Sequence, residues 1–289
     1  MFITGKMAVA ALSGFVLMTG LGQARAADTD SEHLFGFTEG SDIGEKGEKE
    51  AEFGVFGRLS KRAGSYAAFS QSAELKMTLT DNFRVAPGVF FTQHSINNVT
   101  GIRNYSGAGV EGFSFEMKYR LLDRQKAPFG LTLALIPSWS RIDDATGTRA
   151  NSFGTGFLVS ADRELIENKL YGALNFTYDP GVSKTPGLPG WERSSEIGIS
   201  TALSFRLSDR FFVGGEVRYA RAYDGLFLNR ATGHGVFAGP TFFARLSDNV
   251  WIAGVWNFQV AGKTFNTPGR LDLENFHRHE ARLRLGISF

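Results

Sequence analysis

The chain has 289 residues, a formal net charge of +2 at pH 7 and no cysteine, and it is rich in glycine (35 residues) and phenylalanine (27 residues). Its 8 prolines are too few for collagen, and its aromatic content of 13% is unlike that of a disordered chain. The lack of cysteine excludes disulfides, thiolate metal sites and a cysteine nucleophile.

Residues 1–26 have the features of a secretory signal peptide. Lys6 supplies the positive charge, an apolar stretch covers residues 7–21, and an A-x-A pattern of small residues ends at Ala26. Because this stretch is shorter than the ~20 residues that span a bilayer, we predict cleavage after Ala26 and not a membrane anchor. Cleavage leaves 29 basic and 29 acidic residues. A nucleic-acid partner requires a basic surface, so this composition gives no support for one.

Residues 27–49 are acidic and glycine-rich and show no strand periodicity. Two interpretations remain open for this segment. It is either a flexible periplasmic lead-in or a plug that enters the fold formed by the rest of the chain. In a plug, its acids would meet arginines, and Phe35 and Phe37 would contact inner apolar residues such as Phe90, Phe237 and Phe243.

From about residue 50 onward, apolar and polar side chains alternate, which is the period of β-strands with two different faces. In the last segment, Leu283 and Leu285 share one face, and Arg282 and Arg284 share the other. Twelve such segments are predicted, near residues 50–60, 66–79, 83–96, 108–121, 129–140, 153–166, 170–179, 195–207, 211–224, 234–246, 250–262 and 277–289. An even number of such segments is typical of a bacterial outer-membrane barrel.

The predicted connections also alternate in length. Short turns with Asp, Asn or Ser are predicted at residues 80–82, 122–128, 167–169, 208–210 and 247–249. The remaining connections are the short 61–65 and the longer, more glycine-rich 97–107, 141–152, 180–194, 225–233 and 263–276. This arrangement places the start of the first strand and the end of the last strand on the same side of the barrel as the short turns. That side should be periplasmic.

The chain ends in an alternating strand, Leu283 to Phe289, that closes on phenylalanine. With this ending and the twelve segments, residues 50–289 resemble the outer-membrane β-barrel proteins of Gram-negative bacteria. The resemblance implies an all-β, antiparallel transmembrane β-barrel of about 12 strands, surrounded by outer-membrane lipids and porin- or channel-like. It also implies recognition by the barrel-assembly machinery, with Phe289 as the assembly signal. No cofactor and no metal site are predicted.

Charges lie mainly on one face of the predicted strands, and that face should line the barrel lumen. The predicted lumen-lining residues are Arg58, Glu74, Lys76, Arg84, Glu116, Lys118, Arg120, Glu196, Arg206, Glu216, Arg218, Arg245, Arg278, Glu280, Arg282 and Arg284. Nearly balanced charges suit a narrow aqueous pore, or they pair across the lumen and close it. Arg278, Arg282 and Arg284 share the last strand and would favour anions locally if the pore conducts.

The function predicted first is a channel or facilitator for small solutes. The alternative is a structural or surface-interaction protein with a closed lumen, in which loops 97–107, 180–194 and 263–276 carry any binding. A soluble sandwich with this charged face outside also remains open.

An outer-membrane lipid-modifying enzyme is a more distant alternative. His94 and Ser95 are adjacent, so in a strand they point to opposite faces and cannot form a base–nucleophile pair. No catalytic residue is therefore predicted. His277 and His279 share a face directed toward lipid, with no third metal ligand evident.

Overall fold

The computed structural model describes residues 30–265 and 267–289, and the predicted signal peptide lies outside these residues. The described residues contain twelve strands: β1 (Lys49–Leu59), β2 (Ser65–Thr80), β3 (Phe83–Asn97), β4 (Tyr105–Leu122), β5 (Gly130–Ile142), β6 (Arg149–Ile166), β7 (Leu170–Lys184), β8 (Glu192–Ser208), β9 (Phe211–Asp224), β10 (Arg230–Arg245), β11 (Val250–Thr264) and β12 (His279–Ser288). No helix among the described residues is long and apolar enough to cross a membrane.

The strands form one closed antiparallel barrel. Each strand pairs with its neighbours in sequence, and β1 closes the ring by pairing with β12. The closing register runs from Glu50 opposite Ser288 to Leu59 opposite His279. Closure leaves no unpaired sheet edge, so the backbone groups of every strand are satisfied within the ring.

The alternation of the sequence becomes the difference between the two faces of the barrel wall. On β1, Glu52 and Arg58 are each 5% exposed, whereas Phe53 and Val55 are 49% and 41% exposed. Large apolar side chains therefore cover the outside, and charged side chains point into the lumen. This is the pattern of a barrel in a bilayer and the reverse of a soluble one.

Several strands extend further than predicted at the end with the longer connections. β4 begins at Tyr105, β6 at Arg149 and β8 at Glu192. The added residues include glycine, serine and asparagine, which by composition predict loops. They continue the sheet because the neighbouring strand supplies pairing partners, as Ser183 does for Glu192. The last connection, residues 265–278, remains long because β12 begins at His279.

Candidate functional site: the barrel lumen and the segment inside it

Residues 30–48, here called the lumen segment, lie at the end of the barrel with the short turns, and residues 31–43 of this segment are inside the barrel. Leu34 and Phe35 are fully buried and belong to an apolar cluster with side chains of the wall. The largest wall members of that cluster are Tyr171, Phe212, Phe243 and Trp251, from strands β7, β9, β10 and β11. The plug interpretation of residues 27–49 included a contact of Phe35 with Phe243, but not the participation of Tyr171 and Trp251.

Polar side chains of the wall form hydrogen bonds with backbone groups of the lumen segment, which has no regular secondary structure of its own. The Thr38 amide donates to Glu216 (2.9 Å), and the Glu39 amide donates to Asn175 Oδ1 (2.6 Å). Asn175 Nδ2 donates back to the Glu39 carbonyl (2.8 Å). Thr132, on β5, donates to the Ser41 carbonyl (2.5 Å). Buried backbone groups need such partners, so these contacts fix the path of the segment.

Glu32 is the electrostatic centre of the lumen segment. Its carboxylate forms an ion pair with Arg84 and lies 3.2 Å from Lys76 Nζ and 3.4 Å from Lys118 Nζ. Lys118 also pairs with Glu39 (2.8 Å). Burial alone would raise the pKa of Glu32, but Arg84, Lys76 and Lys118 outweigh it and hold that pKa well below its ordinary value.

Two further contacts show how closely the segment packs, one of them against the wall and the other within the segment itself. His33 stacks on Trp251 with 3.9 Å between ring centroids, and its Nε2 lies 3.3 Å from Glu50. Gly40 lies so close to the Ser31 carbonyl that an added Cβ would stand 2.3 Å from that oxygen. A larger residue at position 40 would therefore force the backbone apart.

The tip of the lumen segment is the ring of Phe37. The guanidinium carbons of Arg218 and Arg282 lie 4.2 Å and 5.0 Å from its centroid, and Phe56 meets it edge-on at 5.2 Å. Arg282 also donates to the Gly36 carbonyl (2.6 Å). Both arginines thus hold the tip in place.

Two chambers adjoin this tip, and both are lined by Phe37 and Arg218. The basic chamber, about 260 Å³, is also lined by Arg282, Arg284, Phe56, Phe90, Glu52 and Glu74. The acidic chamber, about 250 Å³, is also lined by Glu39, Asn175, Asp179 and Glu196. The last two residues also line a wide vestibule of about 1350 Å³ at the long-loop end of the barrel. Asp179 and Glu196 therefore line both the vestibule and a chamber beside the Phe37 tip.

Two connections at the long-loop end fold inward. Within 265–278, Asp272 and Phe276 are buried, and Lys61 Nζ donates to the carbonyls of Glu274 (3.0 Å) and Phe276 (2.9 Å). Burial lowers the pKa of Lys61 to about 8, although Asp272 opposes that shift.

In the second connection, residues 143–148, Asp144 forms an ion pair with Arg58. The Asp144 carbonyl lies 2.9 Å from His94 Nε2. Sequence analysis missed both inward folds, because loop composition does not indicate where a loop goes.

Most of the charged residues predicted to line the lumen are buried or half-buried in the barrel wall. The buried ones are Arg58, Lys76, Arg84, Lys118, Glu216, Glu280 and Arg284, and the half-buried ones are Glu74, Glu116, Arg120, Glu196, Arg206, Arg218, Arg245 and Arg282. Their ion pairs join different strands, as in Arg84–Glu116 (2.8 Å) and Arg218–Glu280 (3.0 Å). Arg120 and Arg206 instead contact the short turns, through Asp81 and Asp209.

Two residues near the last strand differ from expectation. Arg278 is exposed and precedes β12, so only Arg282 and Arg284 of the predicted cluster share that strand. His277, expected toward lipid, is buried and stacks on Tyr66 at 5.0 Å. Both differences arise because the chain folds inward before β12 begins, which breaks the alternation. Phe289 is 67% exposed, and its amide donates to the Lys49 carbonyl (2.8 Å).

Comparisons with known proteins agree with this architecture. A family model described as "Family of unknown function (DUF6662)" matches residues 27–289. An outer membrane channel from Pseudomonas putida F1 superposes with a TM-score of 0.62 at 12% identity, covering 86% of this chain and 98% of that one. The β-domain of the Bordetella autotransporter Brka gives a TM-score of 0.53 at 12% identity, covering 85% of this chain and 100% of that one. No curated protein matches the chain. The structural neighbours are outer-membrane barrels, and at these identities they establish the fold.

Proposed function

The chain belongs to a family of unknown function (DUF6662), and we propose that it is a bacterial outer-membrane channel for small solutes whose closed state is held by the lumen segment. The observation that carries this proposal is the burial of residues 31–43 inside the barrel, together with a vestibule that leads toward them from the other end. A barrel that served only as a scaffold would not need an open vestibule.

The way in which the lumen segment is joined to β1 supports the proposal that the segment can leave the lumen. Residues 45–47 are exposed. Gly44 precedes this stretch and Gly47 ends it, with φ angles of 80° and 91°. Glycine reaches these angles without strain, so the stretch can act as a hinge before β1. The contacts that hold the segment are largely ion pairs and hydrogen bonds, which can be exchanged for water when the segment leaves.

The local anion preference predicted for the last strand is proposed for the basic chamber alone. Arg282 and Arg284 line that chamber, whereas Arg278 lies outside it. Asp179 and Glu196 line the acidic chamber, so the pore as a whole should show little preference between small cations and anions.

Single-channel recording of the refolded mature protein, residues 27–289, tests the proposal. Deleting residues 27–48 should raise the conductance, because the segment then no longer fills the lumen. Glu45→Gln serves as a matched control, since that side chain is exposed within the same segment and should leave conductance unchanged. The absence of conductance from both the intact and the truncated barrel, each shown to be folded by heat-modifiable migration, would instead support a closed structural barrel, and equal measurable conductance would show that the segment does not close the pore. Liposome swelling with graded solutes would then give the size limit of the open pore.

A further inference from the structure

Three basic residues lie side by side on the barrel wall near its long-loop end. Arg221 on β9 is paired directly with His234 on β10, and His234 is paired directly with Lys263 on β11. Directly paired Cα atoms in an antiparallel sheet are about 4.5–5.5 Å apart, so these three residues span roughly 10 Å across the strands. Arg221, His234 and Lys263 are here called the basic row.

The basic row points away from the lumen. Side chains alternate between the two faces of a strand, and directly paired residues share a face. Thr264 is buried inside the mouth of the barrel, so its neighbour Lys263 lies on the outer face. Val217, four residues before Arg221 and on the same face, is exposed. Lys263 is exposed and the other two members are half-buried, so the row can be reached from outside the barrel.

The basic row lies at the border of the apolar outer face. On the side toward the short turns, the outward residues Val217, Trp256, Phe258 and Val260 are all exposed. In a bilayer, side chains of this kind contact the lipid acyl chains. Arginine and lysine are costly within such an apolar band but are tolerated at its border. The basic row is therefore at the level expected for lipid headgroups around the long-loop end.

Aromatic rings surround two members of the basic row. The Arg221 guanidinium carbon lies 5.3 Å from the ring centroid of Tyr223 and 5.8 Å from that of Phe265. The His234 ring lies 5.9 Å from the Tyr219 ring and 6.0 Å from the Phe265 ring. Arg221 and His234 thus converge on one ring that follows β11, although they lie on different strands. Aromatic belts of this kind are typical of the membrane–water interface.

The basic row has no acidic partner of its own. In the part of the chain that the structure describes, none of its nitrogen atoms lies within 4 Å of a carboxylate oxygen. Arg230, at the same end of the barrel, is by contrast paired with Asp224. Guanidinium and ammonium groups bind phosphate oxygens through charge-assisted hydrogen bonds. A lipid phosphate at the headgroup level would supply the negative charge that this surface lacks.

We propose that the basic row binds the phosphate group of a glycolipid in the leaflet around the long-loop end. Arg221 and Lys263 donate to the phosphate oxygens from the two ends of the row, and His234 donates between them. Tyr219 and Phe265, beside the row, offer flat apolar faces on which the attached sugar stacks. This site is on the outer wall, so it does not depend on whether the lumen conducts.

Native mass spectrometry of the refolded mature protein, released from detergent with added lipid, tests the proposal. The probes are diphosphoryl lipid A, the same lipid with both phosphates removed, and phosphatidylglycerol, which carries a phosphate but no sugar. Diphosphoryl lipid A should bind as a single molecule, about tenfold or more tightly than either of the others. Millimolar inorganic phosphate should not displace it, because the free anion lacks the sugar and the acyl chains.

Variants separate this site from a general attraction between lipid and barrel. Arg221→Gln and Lys263→Gln should each weaken the binding of diphosphoryl lipid A about tenfold, because each removes a charged donor. Arg163→Gln is the matched control and should leave the binding unchanged. Arg163 is exposed on the outer face of β6 at the short-turn end, and its partner in register is Gly172, not another basic residue. Heat-modifiable migration shows that each variant is folded.

Equal binding of lipid A with and without its phosphates would overturn the proposal. Equal losses in Arg163→Gln and Arg221→Gln would overturn it as well, since the row would then have no special role. Equally tight binding of phosphatidylglycerol, or displacement by inorganic phosphate, would show that the row does not recognise a glycolipid. The comparison among lipids uses the unmodified protein, so a variant that fails to fold does not affect it.

Discussion

Glu32 and Arg84 form a buried ion pair in which each side chain is 4% exposed. The pair joins the lumen segment to β3, and the two residues are 52 positions apart in the chain. Arg84 also binds Glu116 of β4, so one guanidinium links the segment to two strands of the wall. Removing Glu32 would leave Arg84 with one of its two carboxylates and would leave Lys76 and Lys118 with fewer partners.

Glu32→Gln should therefore release the lumen segment. Breaking a buried ion pair by removing one partner costs about 3–5 kcal/mol, which is enough to shift the segment toward an undocked state. Single-channel recording should show longer open times than in the unmodified protein. Glu45→Gln, an exposed carboxylate in the same segment, should show none of this. Unchanged open times in Glu32→Gln would mean that the apolar cluster around Phe35 holds the segment without the ion pair.

Acid should open the channel only at low pH. Burial alone would raise the pKa of Glu39, but Lys118 and Arg282 lower it from 4.5 to about 2. A carboxylate with a depressed pKa contributes its full stabilisation of the docked segment at pH values above its ordinary pKa. This contribution is lost as the pH falls through about 2. Conductance should thus be constant from pH 7 to 5 and rise progressively below 4.5. A rise centred between pH 6 and 7 would assign the control to another group.

The sequence predicts the wall of this barrel much better than its contents. Alternation over ten or more residues specifies a two-faced strand, so the number of strands and the inward direction of residues such as Lys118 and Glu216 follow from local pattern. The path of residues 30–48 depends on single contacts with distant strands, such as that of Glu39 with Asn175. No periodicity encodes these contacts, and composition alone left both a flexible lead-in and a plug open for this segment. The Phe35-Gly36-Phe37 sequence in an otherwise polar segment was the available indication of burial.

The prediction for the residues just before β12 was wrong for a related reason. Arg278 is an even number of residues from Arg282, and alternation therefore predicted that both side chains face the lumen. The strand begins only at His279. The residues before it contact Lys61 and Tyr66 at the mouth of the barrel. Parity is informative only while the sheet continues, and the sequence does not mark where the pairing ends.

Trp251 should report whether the lumen segment is docked. It is 6% exposed and is covered by the stacked ring of His33. Deleting residues 27–48 should shift its fluorescence to longer wavelength and increase its quenching by acrylamide, because water replaces the segment. Trp251→Phe isolates this contribution from the other three tryptophans. Identical difference spectra for the intact and truncated proteins would show that the segment is undocked in solution.

Gly40→Ala should undock the segment without changing any charge. The new Cβ would stand 2.3 Å from the Ser31 carbonyl oxygen, which belongs to the backbone and cannot move aside freely. We expect the same shift in Trp251 fluorescence as for the deletion, but smaller. Gly181→Ala in β7 is the matched control, since its nearest atom would be at an ordinary 3.5 Å. An unchanged spectrum in Gly40→Ala would mean that the segment adjusts its path while remaining docked.

Lys61→Met should loosen the connection 265–278 from the mouth of the barrel. Lys61 is 8% exposed and donates to two carbonyls of that connection, those of Glu274 and Phe276. Methionine keeps most of the packing volume but donates no hydrogen bond, so both carbonyls lose their partner, and the buried one of Phe276 is left unpaired at a cost of about 1–3 kcal/mol. Trypsin should then cut more rapidly after Arg270, which the mass of the fragments identifies. Lys126→Met removes an exposed lysine at the opposite end and should leave that rate unchanged. Equal cleavage in both variants would show that Asp272, through Gln259 and Thr264, holds the connection without Lys61.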